Sequence, residues 1–184
     1  MALFTIWEAV QLALTVIVVG FIFSAHIRKP VTELEDYLTS NIWTDIKYAA
    51  IVAAPAVVLH ELMHKFVALG YGFSAHYVAS WWGLAIGAFL KVIGSGFIFF
   101  LPGYVSIQGL GTAMQFGLTA LAGPLTNLIL FLVSWIVVER GLMPKYAHLW
   151  ATSKQINLWL FAFNMLPIPG LDGFKFYVSL FSLF

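Results

Sequence analysis

The 184-residue sequence predicts a single-domain, all-α polytopic membrane protein, with about four transmembrane helices and a re-entrant hairpin or β-rich loop between the second and the third. Two observations predict this class. Apolar residues make up 61% of the chain and charged residues only 9%, whereas a soluble domain carries about 25% charged residues. Several uncharged apolar runs also reach the roughly 20 residues that a helix needs to cross a bilayer. We therefore expect a multi-pass protein of the cell membrane rather than a soluble enzyme or a disordered chain.

The rest of the composition limits the partners and the chemistry. The formal net charge is +1 and there is no basic tract, so we expect the lipid bilayer, and not nucleic acid, as a partner. The chain contains no cysteine, which removes disulfides and thiolate metal ligands. No basic segment precedes the first apolar run and no small-residue cleavage site follows it, so we expect no cleavable signal peptide.

Four apolar segments are predicted as spans. They are residues 5–27, 46–69, 114–138 and 154–171. The last is interrupted near its end by Pro167 and Pro169, which cannot continue a regular helix. Irregular backbone at membrane depth is tolerated only where it lines protein or a wet cavity. We therefore expect a cavity beside this end of the fourth span.

Residues 60–64 read His-Glu-Leu-Met-His and lie inside the second predicted span. On a helix, positions i and i+4 share one face about 6 Å apart, so two imidazoles can bind one cation and Glu61 can reach a water molecule bound to it. This is the arrangement of a zinc metalloprotease with a general base. The alternative is a chance match, or histidines hydrogen-bonded to neighbouring helices. Ionisable side chains inside a span are costly and functional by default, which favours the metal site.

A catalytic zinc takes three protein ligands, so a third ligand is required. His26, His76 and His148 flank spans or lie in loops, and we expect them to be interfacial or solvated. Glu8 lies in the first turns of the first span, where we also expect it to be solvated. Asp172 follows the proline-interrupted end of the fourth span and is the best remaining candidate. Its charge, with that of a hydroxide, offsets the +2 charge of zinc in a low-dielectric site.

These residues resemble a known family. The His-Glu-Leu-Met-His motif inside a span, followed by Asn-Met-Leu-Pro-Ile-Pro-Gly-Leu-Asp-Gly at 164–173, resembles the site-2 protease family of intramembrane zinc metalloproteases. Gly-Pro-Leu-Thr-Asn at 123–127 matches the third motif of that family. Together the motifs bracket residues 60–173, which is most of the chain. Many members also carry a PDZ domain, for which this sequence leaves no room.

The resemblance implies one zinc ion per chain, bound by His60, His64 and Asp172. It also implies that Glu61 activates the water, and that Asn127 and Asn164 line the site and help to hold substrate or the oxyanion. For each asparagine, an interhelical hydrogen bond worth about 0.6–2 kcal/mol is the alternative. The implied substrates are membrane-anchored proteins, cleaved within or near a transmembrane segment.

Two other interpretations use the same residues. A membrane protein that binds or transports metal ions has a use for His60, His64 and Asp172 as a transit site. Transport does not need Glu61 beside them, however, and the sequence shows none of the internal repeats that are typical of transporters. A structural subunit or an inactive relative of the proteases is the second interpretation, although all of the expected catalytic groups are present.

The stretch between the second and third spans is predicted to enter the membrane and return. His60 and Asp172 must meet at one zinc ion, which places both ends of this stretch on the same side of the bilayer. Its apolar part, residues 79–101, is far shorter than the ~40 residues that two full helices need. We therefore expect a re-entrant region over about 79–107. One full span at 79–101 is the simpler alternative.

The form of this region stays open between a helical half-hairpin and a β-hairpin. Gly94-Ser95-Gly96 is expected near its turn, because glycines weaken a continuous helix. The segment Phe97–Val105 is β-prone enough to offer a strand to an extended substrate. Members of the resembled family similarly carry a membrane-embedded β-rich loop before their third span.

Overall fold

The fold was determined as a computed structural model, which describes residues 3–27, 41–95 and 101–182. Within these residues the chain is mostly helical, with α1 (Ile6–Phe23), α2 (Ile42–Gly70), α3 (Trp81–Val92), α4 (Ala113–Glu139), α5 (Ala147–Asn164) and α6 (Asp172–Phe181). Two strands, β1 (Ser74–Ala79) and β2 (Gly103–Gln108), form a two-stranded sheet. A 3-10 turn, Pro144–Tyr146, precedes α5.

The chain divides into two compact units. The first comprises Met1–Val57 and Val78–Tyr104, and the second comprises Val58–Tyr77 and Val105–Phe184. All of the predicted site residues belong to the second unit. Each unit is described separately below.

Three of the described helices, α1, α2 and α4, are long and apolar enough to cross a membrane. This finding supports the predicted class of membrane protein. The predicted fourth span, 154–171, corresponds in part to α5, which ends at Asn164. The helix ends there because the residue before Pro167 is disfavoured in the helical region. α5 is not among the three apolar helices, so a count of four spans is not confirmed.

In the first unit, polar side chains of α1 are used for capping and for contact with the sheet. The Glu8 carboxylate accepts from the Thr5 backbone N–H at 2.9 Å, and the Thr5 hydroxyl accepts from the Glu8 N–H. Glu8 is only 2% exposed, so the expectation that it is solvated is wrong. The side chain of Gln11 accepts from the Ala79 N–H at 2.8 Å, which ties α1 to the end of β1.

The region after β1 contains the short helix α3. Its 12 residues extend about 18 Å, less than the roughly 30 Å of a bilayer core. The Ser80 N–H donates to the Pro102 carbonyl at 3.1 Å, so the chain leaves β1 and enters β2 at neighbouring points. Gly94, at φ +70°, ends α3 and lets the Ser95 N–H donate to the Leu90 carbonyl, as in a Schellman motif. Of the segment predicted as a β-prone strand, residues 97–100 lie outside the described residues.

α3 is attached to α1 through a lysine. The Lys91 ammonium donates to the Ser24 hydroxyl at 2.8 Å and lies 3.5 Å from the centroid of the Phe21 ring. A cation over an aromatic face is attracted by the ring quadrupole. These two contacts stabilise the Lys91 charge within an otherwise apolar helix.

In the second unit, α4 packs against both α5 and α6. Glycine at position 117 permits the close approach of α6, because a Cβ atom there would lie 2.9 Å from the Ser179 Cβ. A separate apolar cluster, built around Phe73, covers the Gly70 end of α2 and includes Val105 and Ile107 of β2. Phe73 also stacks on Phe116, with ring centroids 5.0 Å apart.

Candidate metal centre

The three predicted metal ligands converge on one point in the second unit. His60 and His64 lie one turn apart on α2, with their Nε2 atoms 3.1 Å apart. Asp172 is the first residue of α6, and its Oδ2 atom lies 3.1 Å from His60 Nε2 and 3.2 Å from His64 Nε2. The structure therefore brings together two imidazole nitrogens and one carboxylate oxygen as a group that could hold a metal ion.

The spacing of these three atoms fits zinc. Ligand atoms bound to one tetrahedral zinc ion at ~2.0–2.2 Å lie about 3.3–3.6 Å apart. The observed separations of 3.1–3.2 Å differ from that range by only a few tenths of an ångström. Two histidines and one carboxylate are also a common protein ligand set for catalytic zinc.

The hydrogen bonds on the far side of each imidazole decide which nitrogen carries the proton. His60 Nδ1 lies 2.5 Å from the Asn127 Oδ1 atom, and His64 Nδ1 lies 2.7 Å from the Thr119 backbone carbonyl. Oxygens of this kind only accept, so each Nδ1 donates and each neutral ring has its lone pair on Nε2. Without a cation between them, the two Nε2 lone pairs and the Asp172 carboxylate oxygen would repel one another. The donor set therefore fits a bound cation.

Asn127 lies behind His60 and is itself held by a second asparagine. Its Nδ2 group donates to the Asn157 Oδ1 atom at 2.9 Å, and both asparagines are at most 1% exposed. Asn127 is thus an interhelical hydrogen-bonding residue with both ends of its amide engaged by protein groups. Its predicted contact with substrate stays a prediction. Asn157 was missed by the sequence analysis, although a buried amide in a largely apolar helix is a signal that could have found it.

Two glycines create the space and the approach that the site needs. A Cβ atom at Gly123 of α4 would lie 2.6 Å from His60 Nε2 and also collide with His64 Nε2, so glycine leaves free the space in front of both nitrogens. A Cβ atom at Gly173 would lie 2.6 Å from the backbone of Met165. Glycine there lets the start of α6 approach the end of α5, which places Asp172 at the histidines.

The second carboxylate oxygen of Asp172 has its own partner. Asp172 Oδ1 lies 3.3 Å from the Lys175 ammonium, one turn later on α6. Asp172 also occupies the first turn of its helix, where the helix dipole favours a negative charge. Both effects favour a negative charge on Asp172, and its Oδ2 atom remains on the histidine side.

Glu61, the residue after His60 on α2, lies at the same centre. It is 8% exposed and interacts electrostatically with His60, Asp172 and Lys175. Among the residues that the structure describes, none forms a hydrogen bond or an ion pair with Glu61. Its carboxylate is therefore available to a reacting water molecule, as a general base requires.

The other predicted residues lie apart from this group. Asn164 is the last residue of α5, and its Nδ2 group donates to the Leu160 carbonyl at 3.0 Å. It is half-buried, and its predicted role with substrate also stays a prediction. His26, His76 and His148 are exposed, as the sequence predicts, and none of them joins the ligand group.

Comparison with known proteins gives one informative similarity. A protein of Methanocaldococcus jannaschii that is named a "putative zinc metalloprotease" is 34% identical to the chain over 172 residues. The match covers 91% of the chain and 82% of the relative. No protein-family model matches the chain, and no solved structure gives a significant match.

Proposed function

Because the chain belongs to the same zinc metalloprotease family as its archaeal relative, we propose that it is an intramembrane metalloprotease of the site-2 type. Its reaction is the hydrolysis of peptide bonds within or near the transmembrane segments of membrane-anchored proteins. One observation carries this proposal. His60 Nε2, His64 Nε2 and Asp172 Oδ2 converge within 3.1–3.2 Å of one another, beside the uncommitted carboxylate of Glu61.

In this proposal His60, His64 and Asp172 hold a zinc ion. When bound there, zinc supplies Lewis acidity for the scissile carbonyl and for water. Glu61 takes a proton from the attacking water as the new C–O bond forms. It then delivers that proton to the amine nitrogen as the C–N bond breaks, so that one carboxyl group serves as base and then as acid.

The position of the site along α2 supports cleavage at membrane depth. α2 is one of the helices that are long and apolar enough to span. By the rise of 1.5 Å per residue, His60 lies roughly 27 Å from the Ile42 end of α2 and roughly 15 Å from the Gly70 end. A soluble protease has no need to place its zinc ligands so far inside an apolar helix.

The region between α2 and α4 supports a re-entrant passage and a place for substrate. α3 is too short to cross a bilayer, and the Ser80–Pro102 hydrogen bond joins the two ends of the excursion. Each strand of a two-stranded sheet also keeps one edge that can pair with an added strand. We therefore propose that this region enters and leaves on one face, and that the sheet binds an extended substrate segment.

Cysteine labelling tests the re-entrant passage, and the absence of native cysteine makes each variant a single-site probe. His76→Cys and Leu110→Cys are suitable because both positions are exposed. Gly111 is unsuitable, since a Cβ atom there would collide with the Phe73 ring. An impermeant reagent should label both cysteines from the same face of sealed vesicles. Labelling from opposite faces would overturn the re-entrant passage.

Glu61→Gln tests the enzymatic function itself. The variant should bind zinc as the wild type does but lose cleavage of a reconstituted single-span substrate, because the amide cannot accept the proton. Glu139→Gln, the same change at an exposed position at the end of α4, is the matched control and should cleave normally. Near wild-type cleavage by Glu61→Gln would remove the proposed base. Metal flux that survives in a Glu61→Gln protein without protease activity would instead indicate a transporter.

A further inference from the structure

A chain of buried amides connects α5 to the metal centre in the second unit. Asn157 is the buried residue of α5, and its side chain contacts Asn127 on α4. Asn127 in turn contacts His60 on α2. Buried polar side chains inside apolar helices are retained where they have a function, and the zinc chemistry described above makes no use of Asn157.

The direction of every hydrogen bond in this chain follows from one backbone carbonyl. The Asn157 Nδ2 group lies 2.9 Å from the Ser153 carbonyl, which can only accept. The Asn157 Oδ1 atom therefore faces Asn127 and accepts from its Nδ2 group. This leaves the Asn127 Oδ1 atom toward His60 Nδ1, which must donate. The Ser153 carbonyl thus favours, through two amides, the His60 tautomer with the proton on Nδ1.

We propose that Asn157 is a positioning residue that selects the metal-binding tautomer of His60 by orienting the amide of Asn127. This proposal rests on the proposed function, because zinc is the ion that His60 binds in that tautomer. Without Asn157, the Asn127 Nδ2 group loses this acceptor, and the amide turns more readily to present Nδ2 to His60. That orientation favours the tautomer with the proton on Nε2, which has no lone pair for a metal.

The two histidines differ in this respect. His64 donates to a backbone carbonyl, that of Thr119, which cannot rotate to offer a donor. His60 donates to a side-chain amide, in which the oxygen and nitrogen ends can exchange by a half-turn. A second residue is therefore needed to orient the acceptor of His60, whereas the acceptor of His64 needs none.

Zinc affinity in a double-mutant cycle tests the proposal. Partners that orient metal-binding histidines typically change metal affinity 10–100-fold when they are replaced, so Asn157→Leu should weaken zinc binding about 10-fold or more. Asn127→Asp removes the ambiguity, because either carboxylate oxygen accepts from His60. In the Asn127→Asp background, Asn157→Leu should therefore lower zinc affinity by less than about 3-fold. The readout is competition for zinc with a chromophoric chelator, with no dependence on proteolysis.

A matched control separates this role from general packing. Thr126→Val removes a hydroxyl that donates only to the Ala122 carbonyl of its own helix, and it should leave zinc affinity unchanged. Wild-type affinity in Asn157→Leu would overturn the proposal. An Asn157→Leu loss that persists in full in the Asn127→Asp background would overturn it as well, because it would reflect packing and not amide orientation.

A spectroscopic measurement on the zinc-free protein keeps the proposal testable if a variant fails to fold. The ¹⁵N chemical shifts of His60 distinguish a proton on Nδ1 from one on Nε2. In the neutral ring of wild-type His60 the proton should be on Nδ1, and in folded Asn157→Leu a fraction of the neutral rings should carry it on Nε2. A neutral wild-type His60 ring with its single proton on Nε2 would contradict the proposal directly. A wild type that binds no zinc but keeps the proton on Nδ1 would overturn the proposed function and leave the amide orientation intact.

Discussion

The two halves of the candidate metal centre are supported in different ways. On the histidine side, both imidazoles donate to neutral, buried oxygens, of Asn127 and of Thr119. On the aspartate side, Asp172 is paired with Lys175, whose side chain is 59% exposed. The first half is fixed by helix packing, whereas the second is fixed by a helix start and one solvent-accessible charge.

This difference indicates where the site tolerates change. Water cannot reach a buried amide or carbonyl whose partner has been replaced. A substitution on the histidine side therefore leaves a polar group without a hydrogen bond. An exposed ion pair is screened, and solvent can substitute for its lysine. We therefore expect the histidine side to be sensitive to its supporting residues and the aspartate side to be sensitive mainly to Asp172 itself.

The largest effect is expected from Asp172→Ala. It removes the anionic member of the proposed ligand set, so zinc affinity should fall more than about 100-fold, beyond the loss typical of an outer partner, and proteolysis should disappear. Glu139→Ala, which removes an exposed carboxylate at the end of α4, is the control and should retain both. Metal titration of the two purified variants makes the comparison. Unchanged zinc affinity in Asp172→Ala would exclude Asp172 as the third ligand.

A smaller but still large effect is expected from Gly123→Ala. The added Cβ atom would collide with both Nε2 atoms, so the imidazoles must rotate away and zinc affinity should fall about 10-fold or more, as for other disturbances of ligand orientation. Alanine is favoured over glycine inside a helix by roughly 0.5–1 kcal/mol, so α4 itself should still form. Gly70→Ala, where a Cβ atom meets nothing within 4 Å, is the control. Normal zinc binding by folded Gly123→Ala would show that the space in front of the histidines is not the metal position.

The contrast between the two halves also explains what the sequence could predict. His60, Glu61 and His64 follow from helical periodicity alone, because their spacing places both imidazoles on one face whatever surrounds the helix. Asp172 followed from the chemistry of the ligand set, since few other groups were available. The polar side chain of Asn157 in a largely apolar segment could have identified it as a candidate, but its role could not be assigned, because that role depends on the register between α5 and α4, which no local pattern encodes.

The fold was predictable to a similar extent. The apolar runs of α1, α2 and α4 are local properties, so these helices lie close to the predicted ranges. The bounds of α5 differ from those of the predicted fourth span. Hydropathy did not signal the polar beginning of this helix at Ala147, or its end at Asn164 before the prolines. Glu8 was misplaced for another reason: the spacing of Thr5 and Glu8 is that of a capping box, a local signal that could have predicted its contact with the start of α1.

The smallest effect is expected from Lys175→Met. An exposed ion pair contributes about 0–1 kcal/mol, so zinc affinity should change less than about 5-fold. Lys145→Met, at an exposed position of the 3-10 turn, is the control for removal of a positive charge. A loss as large as that of Asp172→Ala would contradict the view that solvent can replace this partner.

The central claim is that His60, His64 and Asp172 form one zinc site, and the X-ray absorption spectrum of the bound zinc tests it most directly. Purified protein should contain one zinc ion per chain, with two imidazole ligands and otherwise only oxygen at about 2.0–2.2 Å. His64→Ala should remove one imidazole from that shell or abolish binding. Protein that binds no zinc, or a shell that stays the same in His64→Ala, would contradict the account.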